Sequence, residues 1–177
     1  VLAYPIKLPP GRNGMMPQLG VQYNSDGGNG WLGLGWDLNT SAVSIETRWG
    51  VPRYNRTLET ETYVIDGEQL SPVAHRSAPV TRTIEKQFFP RVENDFKKII
   101  RHGDSTKNYW WEVTEKNGTR RFYGGRPGSN GPDEAAILKD GKGNIAHWAL
   151  TEERDPNDNF VRYRYKKVED AGTANGE

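Results

Sequence analysis

The chain has 177 residues, and its 24 Lys and Arg nearly balance its 23 Asp and Glu. This balance gives no electrostatic argument for a nucleic acid or an anionic membrane as partner, and the absence of cysteine excludes disulfides and thiolate metal sites. No stretch reaches the roughly 18 apolar residues that a membrane span needs. Six Trp, eight Tyr and five Phe favour strands over helices.

The first predicted elements lie in a glycine-rich opening third, where glycines alternate with aromatic and apolar residues. The densest part contains Gly28, Asn29, Gly30, Trp31, Gly33, Gly35 and Trp36. Glycines allow positive φ and close approach of chain to chain, while aromatic rings supply buried surface. Residues 28–33 also match the dinucleotide-binding pattern G-x-G-x-x-G, but no helical period follows, as that site would need. The pattern therefore indicates the start of an all-β scaffold.

Two β-hairpins are predicted in the second half. The first joins residues 109–115 to 119–123 through Asn117 and Gly118, which would supply the positive φ of a tight turn. The second joins 145–153 to 160–168, where aromatic and basic residues alternate with period two. Residues 111–115 resemble residues 148–152, which suggests that one hairpin unit is repeated. The alternative is a chance similarity, because Trp, Thr, Glu and Tyr are common in hairpins. Residues 132–139 predict at most two helical turns, and 170–177 a mobile connector.

Candidate catalytic and metal-binding residues are few. The candidates are three histidines, two acidic pairs and one calcium-like loop. They are His75, His102, His147, Glu59 with Glu61, Glu152 with Asp155, and Asp155 with Asn157 and Asn159. The histidines lack metal-ligand spacing, and the calcium pattern fails because Phe160 and Lys166 replace its Gly and Glu. We therefore predict surface or strand histidines, a charged loop at 59–61, solvated acidic strand ends and a polar turn, with no catalytic, cofactor or metal site.

Basic and aromatic residues alternate at 120–123 and 162–167, as they do in proteins that bind single-stranded nucleic acid. A half-buried strand explains the same residues, so we expect no nucleic-acid partner. Exposed Trp side chains could instead stack on sugars. A carbohydrate-binding β-sandwich with coplanar exposed rings is therefore the alternative.

The opening third resembles the SpvB-type N-terminal domain of Salmonella virulence plasmid B proteins, insecticidal Tc toxin B components and RHS-repeat proteins. The specific resemblance covers about residues 5–73. It rests on Pro5, Ile6, Pro9, Gly11, Arg12, Gly14, Pro17, Leu19, Tyr23, Gly28, Asn29, Gly30, Gly33, Gly35, Trp36, Asp37, Leu38, Ile45, Arg48, Gly50, Val51, Pro52, Arg53, Tyr54 and the segment 63–70.

The resemblance implies a non-catalytic domain that supplies antiparallel strands to a large β-shell around a C-terminal toxic enzyme. In such a wall, residues 28–35 would form tight passages, with Trp31 and Trp36 packed between strands. The implied partners are other segments of the same polypeptide, namely the RHS shell and a propeller, and toxin components. The chain shows no propeller repeats, no long RHS array and no convincing transferase motif, so the family's actin-modifying activity is not expected.

We therefore expect an all-β fold of antiparallel hairpins or a meander, forming part of a larger sheet or shell, with little or no helix. The expected segments are an SpvB-type segment at 1–73, repeated RHS-like hairpins at 74–169 and a flexible tail at 170–177. Each hairpin would extend a sheet without a closed core of its own. The expected location is secreted or extracellular bacterial, including the cell surface.

Overall fold

The computed structural model describes residues 2–25, 29–30, 32–72, 79–92 and 96–167, and these residues are almost entirely β. Helix is limited, within these ranges, to single 3-10 turns at Arg12–Gly14 and Glu134–Ala136. The strands are β1 Leu2–Ile6, β2 Leu19–Tyr23, β3 Asn29–Gly30, β4 Gly33–Leu34, β5 Trp36–Leu38, β6 Ala42–Ile45, β7 Tyr63–Ile65, β8 Glu68–Ser71, β9 Lys86–Pro90, β10 Phe96–His102, β11 Trp110–Glu115, β12 Arg120–Tyr123, β13 Ile137–Lys139, β14 Ile145–Arg154 and β15 Phe160–Arg162.

Eight strands, β6 to β12 and β14, form a closed antiparallel barrel. Strands β6 to β12 follow one another as a meander in which each strand pairs with the next. The long β14 closes the barrel because its first part pairs with β6, where Trp148 lies opposite Val43, and its last part with β12, where Glu152 lies opposite Phe122. Closure leaves these eight strands without an open edge in the ring.

The barrel interior is built by alternating side chains and is filled by aromatic rings. In β6 and β7 every second residue is buried, as period-two geometry requires of a strand with one buried face. Tyr63, Phe88 and Trp111 meet edge to face, with ring centroids 4.8–5.4 Å apart. Such pairs add about 0.5–1.5 kcal/mol each beyond the area that they bury.

A smaller sheet precedes the barrel along the chain. It has the order β1–β2–β5, and the short hairpin β3–β4 is inserted between β2 and β5. Ser41 lies just before β6, and its hydroxyl oxygen is 2.8 Å from the hydroxyl oxygen of Tyr123 in the barrel. This contact, and the three-residue link 39–41, fix the end of the small sheet to the barrel.

The all-β, antiparallel fold is confirmed, and so are both predicted hairpins: β11 pairs with β12, and β14 with β15. The expectation that the hairpins have no closed core of their own is wrong, because pairing between β12 and β14 closes the ring. The two proposed repeats are neighbours, and their equivalent residues Trp111 and Trp148 are both fully buried with centroids 5.9 Å apart. Strands on both sides of residue 73 belong to the one barrel.

Two local predictions need correction. The helix expected at 132–139 is one 3-10 turn followed by β13, because Ile137 pairs with Trp148 and is buried there. The first hairpin turn has positive φ at Gly118 and not at Asn117. Its three-residue loop uses Asn117 differently: the side-chain oxygen accepts a hydrogen bond from the Thr119 amide at 2.9 Å. The tail 170–177 lies outside the described residues.

Candidate assembly surface

Strand β1 carries an apolar face that the described residues leave exposed. Leu2, Tyr4 and Ile6 alternate along the strand, so their side chains share one face, and they are 51%, 56% and 40% exposed. We call these three residues the β1 face. Among the described strands β1 pairs only with β2, so its other edge is open there. Pro5, which has no amide hydrogen to donate, is tolerated at such an edge. An apolar strand at an open edge is a template for another chain.

An apolar groove of about 600 Å³ adjoins the β1 face. It is lined by residues of β1, β2 and the connection between them, which includes Met16, 43% exposed. Exposed apolar groups gathered on one part of a molecule mark an interaction surface more often than scattered single residues do.

The glycine motif builds the part of the small sheet next to this surface. Gly33 and Gly35 have φ of +114° and +76°, a region that favours glycine. A Cβ on Gly35 would lie 2.7 Å from Cε2 of Tyr23, whose ring contacts Trp36 at a centroid distance of 5.0 Å. The segment therefore turns tightly beneath an aromatic pair. Asn29 and Gly30 form β3, whereas Gly28 and Trp31 lie outside the described residues.

Glu59 and Glu61 lie in the connection between β6 and β7, in the charged loop that we predicted. Both carboxylates are buried at the barrel end that carries the long connections, where they meet two arginines. Arg101 donates to both oxygens of Glu59, at 2.6 and 2.7 Å, and its guanidinium carbon lies 3.8 Å from the ring centroid of Tyr109. Arg82 bridges Glu59, at 3.2 Å, and Glu61. We call these four charged residues the ionic cluster.

The ionic cluster is a structural element that crosslinks distant segments. Burial opposes the charge of Arg101, but the hydrogen bonds with Glu59 outweigh it and raise the pKa of the guanidinium. Burial also raises the pKa of Tyr63, whose hydroxyl lies 3.3 Å from Arg101. The carboxylates are paired and closed to solvent, so they are unsuited to act on a substrate. No local pattern marks this cluster, since Glu59 and Arg101 are 42 residues apart.

The second acidic pair, Glu152 and Asp155, has its two carboxylates bound to different partners. Glu152 is buried, not solvated as predicted, and its two oxygens accept from Arg154 at 2.7 Å and Arg162 at 2.8 Å. Burial alone would raise the pKa of Glu152, but these hydrogen bonds lower it. Asp155 instead accepts from the amides of its own turn, those of Asn157 and Asn159, at 2.8 and 2.9 Å. The calcium-like pattern is therefore a hydrogen-bonded hairpin turn.

The two described histidines, His102 and His147, lie on different strands, β10 and β14. His102 stacks on Trp110 at 4.0 Å and lies between the carboxylates of Glu85, at 3.2 Å, and Glu112, at 3.0 Å. Burial lowers the pKa of His147, against the charge of Asp37. His75 lies outside the described residues. Across the described ranges no three His, Cys, Asp or Glu side chains gather into a group that could hold a metal ion.

The basic and aromatic residues at 120–123 form the barrel strand β12. Phe122 and Tyr123 are buried, while Arg121 pairs with Glu115 at 2.9 Å. Rings buried in the barrel are not available to stack on bases. In the part of the chain that the structure describes, no helix is long and apolar enough to cross a membrane.

The sequence and fold of this chain are similar to those of known proteins. The sequence model of the SpvB family, described as Salmonella virulence plasmid 65kDa B protein, matches residues 1–177. The curated mono(ADP-ribosyl)transferase SpvB of Salmonella typhimurium is 28% identical over 168 residues, which is 86% of this chain but 27% of that protein. The chain thus spans about a quarter of the length of the curated relatives that it matches.

Solved structures agree on the fold. The N-terminal domain of the effector protein SpvB from Salmonella typhimurium strain LT2 matches with a TM-score of 0.65 and 27% identity, over 88% of this chain and 51% of that one. The Photorhabdus luminescens Tc holotoxin pore, in a mutant form, matches with a TM-score of 0.73 and 25% identity, over 97% of this chain and 8% of that one. A TcdB2-TccC3 structure, 24% identical, has the same fold with a TM-score of 0.71.

The closed barrel with its appended sheet thus has the all-β fold of the SpvB N-terminal domain. The chain belongs to the SpvB family, whose sequence model covers it from end to end. The match to mono(ADP-ribosyl)transferase SpvB is confined to 27% of that protein.

Proposed function

We propose that this chain is a non-catalytic scaffold. It would form the N-terminal part of a secreted bacterial toxin-like or RHS-type β-shell that encloses or delivers a C-terminal effector. The observation that carries the proposal is the β1 face: three large apolar side chains, 40–56% exposed, on an open-edged strand beside a barrel that is already closed. The barrel needs no further strand, so the small sheet is the part that remains to be covered.

The chemistry of the barrel supports a role without catalysis. The acidic residues that could have acted as general acids or bases, Glu59, Glu61 and Glu152, are buried and paired with arginine. A catalytic carboxylate must reach its substrate, and these hold strands and loops together instead. We propose no cofactor and no metal for this domain.

The proposed partners are other segments of the same long polypeptide, including an RHS-type shell and a propeller, and components of a toxin complex. Support comes from relatives in which the matched region is a small part, 8% of the chain in the Tc holotoxin pore. The proposed location is outside the producing bacterium or at its surface.

Carbohydrate binding has weaker support. That alternative predicts coplanar exposed rings on a sandwich, whereas the chain forms a barrel and the rings of Tyr23 and Trp36 are inclined by 47°. Trp111 and Trp148 are fully buried and cannot meet a sugar.

The test is limited trypsin digestion of the native gene product that contains this chain, comparing Tyr4→Glu with Leu138→Glu. The two positions are matched, since Tyr4 is 56% and Leu138 55% exposed, both on strands. Burying a large apolar side chain contributes about 1.5–3 kcal/mol, so Tyr4→Glu should speed cleavage of the C-terminal part by about tenfold or more.

Leu138→Glu should leave the digestion unchanged, because β13 already packs on the barrel through Ile137. Equal digestion of both variants and the wild-type product would contradict the scaffold. A native product no larger than this 20.0 kDa chain would also contradict it.

A further inference from the structure

A second surface differs from the apolar β1 face in being positively charged. It is a cleft of about 930 Å³. Three segments line it: 51–56, between β6 and β7; 105–107, between β10 and β11; and 140–144, between β13 and β14. Because successive strands of the barrel alternate in direction, these connections lie at the barrel end that also holds the ionic cluster. Arg82 belongs to both, since it lines the cleft and pairs with Glu61.

Four cations line this cleft without a carboxylate partner. Arg53, Arg56, Lys107 and Lys142 are exposed, and no described carboxylate lies within 4.0 Å of their charged nitrogens. This contrasts with the ionic cluster and with Arg121, Arg154 and Arg162, which pair with glutamates. Because the chain as a whole is nearly neutral, a local group of unpaired cations is a surface where an anionic partner would gain.

The one carboxylate of the lining, Asp140, is engaged by its own turn. Its oxygens accept from the amides of Lys142 and Asn144, both at 2.8 Å, and from the Asn144 side chain at 2.9 Å. These hydrogen bonds, with that of the Asn144 side chain first, lower the pKa of Asp140. Asp140 therefore shapes the turn that presents Lys142, whose charge also helps to lower the pKa of Asp140, although no charged nitrogen of the cleft lies within 4.0 Å of its carboxylate.

The cleft walls are held in place before any ligand arrives. The Asn55 side-chain oxygen accepts from the amides of Thr57 and Leu58, both at 2.9 Å, which fixes the backbone on either side of Arg56. The Asn55 carbonyl accepts from Arg82 of the ionic cluster at 2.6 Å. On the other wall, the Thr106 hydroxyl donates to Asn144 at 2.7 Å. A preformed site loses less entropy on binding than a mobile one.

The backbone of this cleft also holds a strained residue. Tyr54 has φ of +46°, which is unusual for a bulky side chain, and its ring packs against the barrel core between Arg53 and Asn55. Such strain persists only where the surrounding structure imposes it, and it concentrates at functional positions. Half-buried against the core, the ring is poorly placed to stack on a nucleic-acid base.

We propose that this basic cleft binds an acidic segment of a partner polypeptide, through carboxylates that pair with Arg53, Arg56, Lys107 and Lys142. A guanidinium group binds a carboxylate by donating two parallel hydrogen bonds. The volume of the cleft falls within the range of about 300–1,000 Å³ typical of ligand sites. The absence of an exposed aromatic ring among the cleft's lining residues favours a peptide over a single-stranded nucleic acid. The proposal does not depend on the scaffold function, because it concerns a different surface.

The test is fluorescence anisotropy of the 177-residue chain with labelled hexaglutamate, with hexaglutamine and an oligothymidylate hexamer as comparison probes. Arg53→Gln/Lys107→Gln should weaken hexaglutamate binding by about tenfold or more, since two charge-assisted contacts are removed. The matched control, Arg126→Gln/Arg164→Gln, removes two exposed arginines from another cleft and should change the affinity less than twofold.

Arg56→Gln is a second, independent variant and should also weaken binding while the thermal midpoint stays unchanged. Equal weakening by the control variant would overturn the cleft as the site, because binding would then follow net charge alone. Tighter binding of the oligothymidylate than of hexaglutamate would overturn the acidic peptide as the ligand. Absence of hexaglutamate binding at low salt would overturn the proposal altogether.

Discussion

Gly124 offers the sharpest test of the packing that closes the barrel. It follows β12 at the point where this strand meets β14, and its amide donates to the Ala149 carbonyl at 2.8 Å. Its φ is +67°, and a Cβ there would lie 2.3 Å from Cδ1 of Trp148 and 3.0 Å from Cγ2 of Ile137. Both neighbours are fully buried in the core, so neither can move aside without disturbing the barrel.

Gly124→Ala should therefore cost two separable amounts of free energy. The left-handed conformation costs a non-glycine residue about 1–2 kcal/mol, and overpacking of a filled core costs about 1–3 kcal/mol. The sum is about 2–5 kcal/mol. For a chain of this size each kcal/mol lowers Tm by about 2–4 °C, so we expect a fall of about 10 °C.

Gly128→Ala is the matched control, because Gly128 has φ of +81° in the same connection but a Cβ there would meet nothing within 4 Å. It should lose only the conformational part, about 1–2 kcal/mol. Calorimetry and urea unfolding of both variants give the comparison. Equal losses in the two variants would refute the argument that Trp148 and Ile137 exclude a side chain from this position.

Three further variants test other parts of the account. Arg101→Met should lower the free energy of unfolding by about 3–5 kcal/mol, since it leaves the two buried carboxylates of Glu59 and Glu61 with the single guanidinium of Arg82. Loss of the exposed pair at Arg120→Met should cost less than about 1 kcal/mol; comparable urea midpoints would contradict the role of the ionic cluster. Gly35→Val should destabilise the small sheet by well over about 1 kcal/mol and more than Gly33→Val, which amide hydrogen exchange of β2 and β5 would detect; near-neutral results at both would remove the tight-turn argument. The pKa of Glu152 is lowered in the folded state, so its carboxylate stabilises the fold fully above the ordinary glutamate pKa of about 4.3. This stabilisation is lost as the pH falls through the lower pKa of the folded state. Glu152→Gln should therefore reduce the loss of unfolding free energy at acid pH, and an unchanged loss would contradict a lowered pKa for Glu152.

Local patterns predict the strands and turns of this chain well, because alternation and turn residues act over a few positions. The predicted hairpins at Gly118 and at Asp155 are both present. Closure of the barrel is not a local property, since β12 pairs with β14 across an intervening connection and β13. No pattern within either strand specifies that pairing. The sequence therefore predicts an open sheet of hairpins rather than a closed barrel.

Neither surface could be predicted from the sequence. The exposure of Leu2, Tyr4 and Ile6 depends on which of the described parts of the fold cover β1, and that is a property of the tertiary structure. The cleft and the ionic cluster bring together residues from separate connections, such as Arg53 with Lys142 and Glu59 with Arg101. Charges that are distant in sequence meet through the barrel topology, and the spacing along the chain carries no sign of it.

The central claim, that the β1 face is an assembly surface, is tested most directly by hydroxyl-radical footprinting of Tyr4 with mass spectrometry. The measurement compares the isolated 177-residue chain, in which Tyr4 is 56% exposed, with the intact native gene product. The account predicts rapid oxidation in the isolated chain and protection of about fivefold or more in the native product, as expected for a ring removed from water. Equal oxidation of Tyr4 in both would contradict it.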